Sequence, residues 1–412
     1  MEGFMIPAAR PSSHLGEIRG LLLTAMAVFA VTVFIGVLNG LDLMTFNRET
    51  LMAHVHAGTL GWISLSVFAA CLWLFGASEG APTPGERTIG WLTWLSVISV
   101  PLYVAAFWTG NYPFRAVTSV PMLLAIVGFL AWTIGRSRQL PLNVPRLAML
   151  AGMLILTVGG FFGTLIQVQV ALSFTLVESA SALSGHVTAM AFGYLVLVGM
   201  GLVEWRLAPP SDRLTRGGAV QVASLFIGSI LLTVGALTGN EVMLQLNTLF
   251  QLIAVVIFGV RMGGFVVRAP WLTDGSARYF AAAGVFVAVD IALLLFLIVQ
   301  LLSGAYGPIT SDVSLLKIPL WMIFALDHAI FIGVMSNAIF GLAHDLSHDH
   351  ADTWRWADQV VFWGMNLGLV GFVLGLALDT ALVKQIFSPV MGVAIGVGLL
   401  AYWQRVRRVE AA

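Results

Sequence analysis

The chain has 412 residues, of which 59% are hydrophobic and 10% charged, with 20 basic residues balancing 20 acidic ones. A soluble domain carries roughly 25% charged residues, so the sequence reads as an all-α, polytopic integral membrane protein. The lack of a basic patch argues against nucleic acid as a partner. A single cysteine, Cys71, excludes a disulfide framework and a thiolate cluster, leaving imidazole as the expected metal ligand.

The first residues, MEGFMIPAARPSSHLGEIRG, are too polar for a signal peptide. They read as a cytoplasmic tail, residues 1–19, ahead of an uncleaved first helix. Apolar runs of about 20 residues can cross a bilayer as helices. Such runs are predicted near 20–44, 51–76, 88–109, 116–135, 145–170, 179–204, 218–238, 243–267, 279–303, 316–343, 358–378 and 385–404. The connections are short, so neighbours are expected to be antiparallel and residues 1–412 to form one transmembrane domain. Of the 20 Lys and Arg residues, 16 fall on the side holding the N-terminus and 4 on the other. That bias predicts a multi-pass protein of a prokaryotic plasma membrane with both termini cytoplasmic.

Histidines stand inside three of these apolar runs. His54 and His56 lie in LMAHVHAGTLGW of the second, His186 in SGHVTAMAFGY of the sixth, and His328 in ALDHAIFIGVMSN of the tenth. All three runs go from outside to inside. His54, His56 and His186 are therefore expected in the outer leaflet, and His328 nearer the middle. Ionisable groups are costly in hydrocarbon and mark functional sites, and neutral imidazoles on separate helices suit a metal or a haem iron. A single such histidine also reads as a packing residue bonded to a backbone carbonyl. Positions i and i+2 of a helix point about 200° apart, so His54 and His56 cannot share one iron and must face opposite ways. His56 and His328 each precede a glycine by five residues, Gly61 and Gly333. His54 and His186 each precede one by seven, Gly61 and Gly193. The spacings of 130 and 142 residues between His56, His186 and His328 each cover four helices, which suggests three four-helix units.

Other polar residues are fewer. Asp290 in FVAVDIALLLF is a carboxylate in mid-membrane, a candidate proton relay or a hydrogen-bond acceptor. Asp327 precedes His328 and points about 100° from it. Asn247 and Gln251 are one turn apart and could line a wet path, while Glu178 and Asn240–Glu241 read as solvated. After the tenth run, residues 344–357 read as a cytoplasmic His/Asp-rich loop. His344 and His348, at i and i+4 and flanked by Asp345 and Asp349, are a weaker metal candidate there.

HVHAGTLGW resembles the haem-ligating segment of the haem–copper oxidase catalytic subunit, especially its C-type oxidase and nitric oxide reductase branch. GHVTAMAFGYLVLVGMGLVEWRLAP is similar to another histidine-bearing helix of that subunit. The haem membrane proteins of nitric oxide stress share the style and are a close second match. The resemblance covers essentially the whole chain and implies a twelve-helix bundle of three four-helix arcs. It implies one or two b-type haems, with His54, His56, His186 and His328 as iron ligands: His56 paired with a partner from helix six or ten, and His54 serving a second haem. It further implies an electron-donor protein or a quinol, and a small gas, nitric oxide or oxygen, as oxidoreductase substrate or ligand. In that family the H-x-H pair lies on the tenth helix, not the second. Copper there uses three histidines, two of them adjacent on the seventh helix. The seventh run here, GGAVQVASLFIGSILLTVGAL, has none, which puts copper in doubt.

A different class remains open, a proton-coupled transporter using the histidines and Asp290. Such carriers pair helix breaks near the midplane, whereas Pro101, Pro121 and Pro319 are scattered.

Overall fold

The computed structural model describes residues 13–76, 86–306 and 318–409, so residues 1–12 of the expected tail lie outside the described residues. Twelve helices are long and apolar enough to cross a membrane. They are α1 (Leu15–Gly40), α2 (Arg48–Phe75), α3 (Arg87–Trp108), α4 (Tyr112–Ser137), α5 (Val144–Leu172) and α6 (Ser179–Leu207). They continue with α7 (Arg216–Thr238), α8 (Glu241–Arg268), α9 (Ser276–Leu302), α10 (Leu320–Leu346), α11 (Ala357–Ala377) and α12 (Ala381–Arg407). No strand occurs among the described residues.

Short polar side chains fix where several helices begin. Asn47, Asn111, Asn143, Thr215 and Asn240 each accept a bond from a backbone N–H of the first turn. Glu178, expected to be simply solvated, does the same for α6 through the N–H of Ser181. Two boundaries differ from expectation. α1 starts at Leu15 because Ile18 and Leu21 are already buried, so residues 15–19 are helix and not tail. α10 starts after Pro319, which lacks the N–H a preceding turn would need, and runs on to Leu346. His344 is therefore helical and buried, and the loop expected from 344 begins only at Ser347.

Three helices form the centre. The apolar windows of α2, α6 and α10 are 89, 72 and 72% buried, against 50% or less for every other span. The remaining helices close three compartments around this triad. α3, α4 and α5 bridge α2 to α6; α7, α8 and α9 bridge α6 to α10; α11, α12 and α1 bridge α10 back to α2. This is the arrangement of three four-helix arcs. The first and last helices meet on one side, where the Arg19 guanidinium donates to the carbonyl of Val409, just past α12, at 2.9 Å.

Each central helix widens into a π-helical segment at the same level: Ala57–Ser64, Ala189–Tyr194 and Ala329–Ser336. Such segments leave i→i−4 carbonyls without their usual partners and often mark functional sites. Here Ser64 and Ser336 donate to the carbonyls of Thr59 and Phe331, five residues back. The same serines lock the triad together: Ser336 accepts from the Trp62 indole at 2.9 Å, and Ser64 from the Tyr194 hydroxyl at 3.4 Å. A glycine sits in each segment where the preceding helix crosses. A Cβ on Gly61, Gly193 or Gly333 would stand 2.2, 2.7 or 2.4 Å from Val28, Ile155 or Phe286. These three contacts set one common register between the first and second helix of every arc.

Candidate functional site

His54, His186, His56 and His328 lie six, seven, eight and eight residues from the first residues of their helices, Arg48, Ser179 and Leu320. At 1.5 Å per residue they share a depth of about 10 Å. His328 is thus level with the others and not nearer the middle as expected; its helix begins later than the hydropathy pattern suggested.

The four fall into two kinds, matching the two glycine offsets. His56 and His328 each donate Nδ1–H to the carbonyl one turn back on their own helix, Met52 at 2.7 Å and Phe324 at 2.8 Å. His54 and His186 instead donate across to the preceding helix, to Thr32 at 3.0 Å and Gly159 at 2.7 Å. Beside each acceptor, one turn further on, a glycine leaves room for the ring. A Cβ on Gly36 would be 3.2 Å from His54 Cε1, and one on Gly163 2.9 Å from His186 Cε1. In all four the partner is a carbonyl, so Nδ1 carries the proton and Nε2 keeps its lone pair. No hydrogen bond reaches any of these Nε2 atoms among the described residues.

As the helical rotation requires, His54 and His56 diverge. His54 faces α1 and is close enough to His328 of α10 to interact electrostatically. His56 faces α3, stacks on Phe107 with centroids 3.9 Å apart, and interacts in the same way with His186 of α6. His328 has a corresponding aromatic neighbour in Phe372 of α11, at 4.8 Å. Every one of the four imidazoles is half-buried by accessible surface.

The third compartment breaks the pattern. At the register of His56 and His328, α6 carries Thr188, whose hydroxyl turns back to Ser184 at 2.8 Å. At the register of His54 and His186, α10 carries Leu326. It packs with Leu294, Leu297, Ile298 and Met322 in a separate apolar cluster. On α9, Asp290 occupies the position that Thr32 holds on α1 and Gly159 on α5. Asp290 is fully buried, neither carboxylate oxygen has a hydrogen-bond partner, and it interacts electrostatically with Asp327. Asn247 and the Oε1 of Gln251, on α8, are likewise buried without partners.

Sequence reasoning passed over Arg115. It is buried on α4, donates to the Phe107 carbonyl at 2.9 Å, and lies over the Phe107 and Tyr112 rings at 4.6 and 4.7 Å. A lone arginine at the edge of an apolar run was its only signal. At the opposite end, His344 and His348 have ring centroids 6.4 Å apart, His344 buried and His348 exposed. Among the described residues no three His, Cys, Asp or Glu side chains converge as a metal site.

The residues fit a planar macrocycle bound through its iron. As donors for such an iron, the chain supplies imidazoles from α2, α6 and α10, each with Nδ1 bonded to a carbonyl, and Gly36 and Gly163 leave room for the His54 and His186 rings. The fold and site thus define a polytopic membrane protein with a threefold-repeated bundle and two histidine pairs in one half of it. A 98-residue stretch, 22% of this chain, is 28% identical to a "Cytochrome c oxidase subunit 1 homolog" of Azorhizobium caulinodans. The match spans 17% of that relative's length. No family model matches the chain. The chain is therefore a multi-pass membrane protein with a distant, partial similarity to an oxidase subunit 1 homolog.

Proposed function

We propose that this is a membrane haem protein that carries electrons in the outer half of the bilayer, toward reduction of a small gas such as nitric oxide or oxygen. The observation that supports it most is the common level of His54, His56, His186 and His328 on the three central helices, each with Nδ1 bonded to a carbonyl. The distant oxidase similarity points the same way. The histidines would be the iron ligands of a b-type haem, which when bound supplies one-electron chemistry. The chain's own residues hold the imidazoles in one tautomer, exclude bulk water with aromatic and aliphatic walls, and keep the iron level fixed through the glycine contacts. The excess of basic residues on the terminal side would put both termini in the cytoplasm, and a quinol or a separate protein would donate the electrons. His344 with His348 remains a weaker metal candidate on the cytoplasmic side.

The test is a pyridine haemochrome assay and absorption spectrum on purified full-length protein. A Soret band is expected, diminished in His54→Ala and in His56→Ala. A colourless protein would sink the reading. The unpartnered Asp290, Asn247 and Gln251 Oε1 favour a second reading, a proton-coupled carrier. It requires a colourless protein whose substrate uptake depends on Asp290.

A further inference from the structure

We infer that the chain holds two equivalent six-coordinate haems, the second lying between α2 and α6, ligated by His56 and His186 and neutralised by Arg115. The inference rests on the haem reading above and adds to it the number, the position and the closed coordination of the sites.

Internal repetition carries it. Moving from the α10–α2 compartment to the α2–α6 compartment maps His328 onto His56 and His54 onto His186. The holders move with them: Phe324 onto Met52, Thr32 onto Gly159, and Gly36 onto Gly163. Two compartments that repeat ligand, tautomer-fixing carbonyl and clearance glycine so closely are built for the same ligand. The third has Thr188 and Leu326 at the ligand positions, with Leu294 and Met322 packed in the cluster of Leu326, so it offers no imidazole to an iron. The number of haems is therefore two.

Charge supports the placement. Arg115 is 5% exposed, and its partners are two carbonyls and two aromatic rings, with no carboxylate. A buried cation without a counterion is costly, especially at membrane depth. Arg115 covers the same Phe107 ring on which His56 stacks, and interacts electrostatically with His56. A carboxylate on the edge of a macrocycle held at His56 would meet the guanidinium. In the α10–α2 compartment the corresponding position on α12 is Lys384, which already pairs with Asp42 at 2.7 Å. With imidazoles on both walls of each compartment, neither iron has a free face. Electrons would then leave through the macrocycle edge.

The experiment measures haem per polypeptide, the number of redox transitions and carbon monoxide binding on purified full-length protein. Two haems per chain are expected, with two bis-imidazole signals in electron paramagnetic resonance and no carbon monoxide adduct on reduction. His56→Ala and His186→Ala should each leave one haem with the same residual spectrum. His54→Ala and His328→Ala should leave the other. Arg115→Gln should keep two haems but lower the midpoint potential of the one that His56→Ala removes, since losing a cation favours the ferric state, and Arg115→Lys should restore it. One haem per chain, different residual spectra for His56→Ala and His186→Ala, an adduct on reduction, or a potential unmoved in Arg115→Gln would each overturn the inference while leaving the haem reading intact. A colourless wild-type protein would overturn both. The wild-type stoichiometry and resonance signals stand even where a histidine variant fails to fold.

Discussion

Gly163 lies directly under the imidazole of His186, and a Cβ there would stand 2.9 Å from Cε1 and 3.0 Å from Nδ1. The ring cannot retreat without giving up its 2.7 Å bond to the Gly159 carbonyl. Gly163→Ala is therefore expected to tilt His186, at a cost of about 1–3 kcal/mol for overpacking. The check is a Soret-to-protein absorbance ratio, which should fall toward that of His186→Ala. Gly36→Ala meets His54 at 3.2 Å, and its effect should be visibly smaller. Equal losses at the two glycines would contradict the geometry.

Asp290 is buried with both oxygens lacking partners, and an unbonded buried polar group costs about 1–3 kcal/mol. Asp290→Leu is expected to raise the thermal midpoint in detergent, because it removes a buried carboxylate that has no hydrogen-bond partner. If Asp290 relays protons, the same variant should lose proton uptake measured in liposomes while gaining stability. A variant that loses stability would mean that the Asp290 carboxylate bonds within the fold.

The carboxylate of Asp358 accepts from Arg405 at 2.8 and 3.0 Å and from the Tyr402 hydroxyl at 2.7 Å, with both charged groups almost fully buried. Removing one partner of such a pair strands the other charge and typically costs about 3–5 kcal/mol. Asp358→Ala should show that loss in thermal unfolding. Asp358→Leu combined with Arg405→Met should recover most of it, since an apolar pair of similar volume avoids the stranded charge. A double variant as unstable as the single one would argue against this origin.

On the histidine-bearing side, bonds from Lys384 and then Gln385 hold the Asp42 carboxyl below its ordinary value. A lowered folded-state value means the contribution is complete above the usual carboxylate range and disappears as pH falls through the folded-state value. Wild type should therefore loosen between α1 and α12 on acidification below about pH 4, read by hydrogen exchange of the Leu41–Leu43 amides. Asp42→Asn should be looser at neutral pH and show less acid dependence there; an unchanged acid dependence would discount the pair. Asn also tolerates the left-handed backbone at this position, φ 54°.

How much of this was legible beforehand differs by residue. The membrane class and the twelve spans follow from apolar runs near 20 residues, because bilayer thickness sets helix length. The divergence of His54 and His56 follows from helical rotation alone, and the structure has them facing α1 and α3. The glycine offsets of five and seven were visible too, and they sort the histidines into the two kinds seen in the fold. Hydropathy could not show the π-helical segments, since they change backbone bonding and not composition. Nor could it rank Arg115, whose importance lies in the carboxylate it lacks.

What remained for tertiary structure was partnership. A sequence lays residues on helix faces, but only the packing of α1 on α2, α5 on α6 and α9 on α10 decides which faces oppose. That packing brings His186 within electrostatic range of His56 and His328 within range of His54, where the sequence left His56 with a partner from either helix. It also closed the third compartment with Leu294 and Leu326, residues that nothing in their own runs distinguishes from any other buried leucine. Helix identity is local and set by the chain's own periodicity, whereas a shared cavity is a property of three or more helices at once.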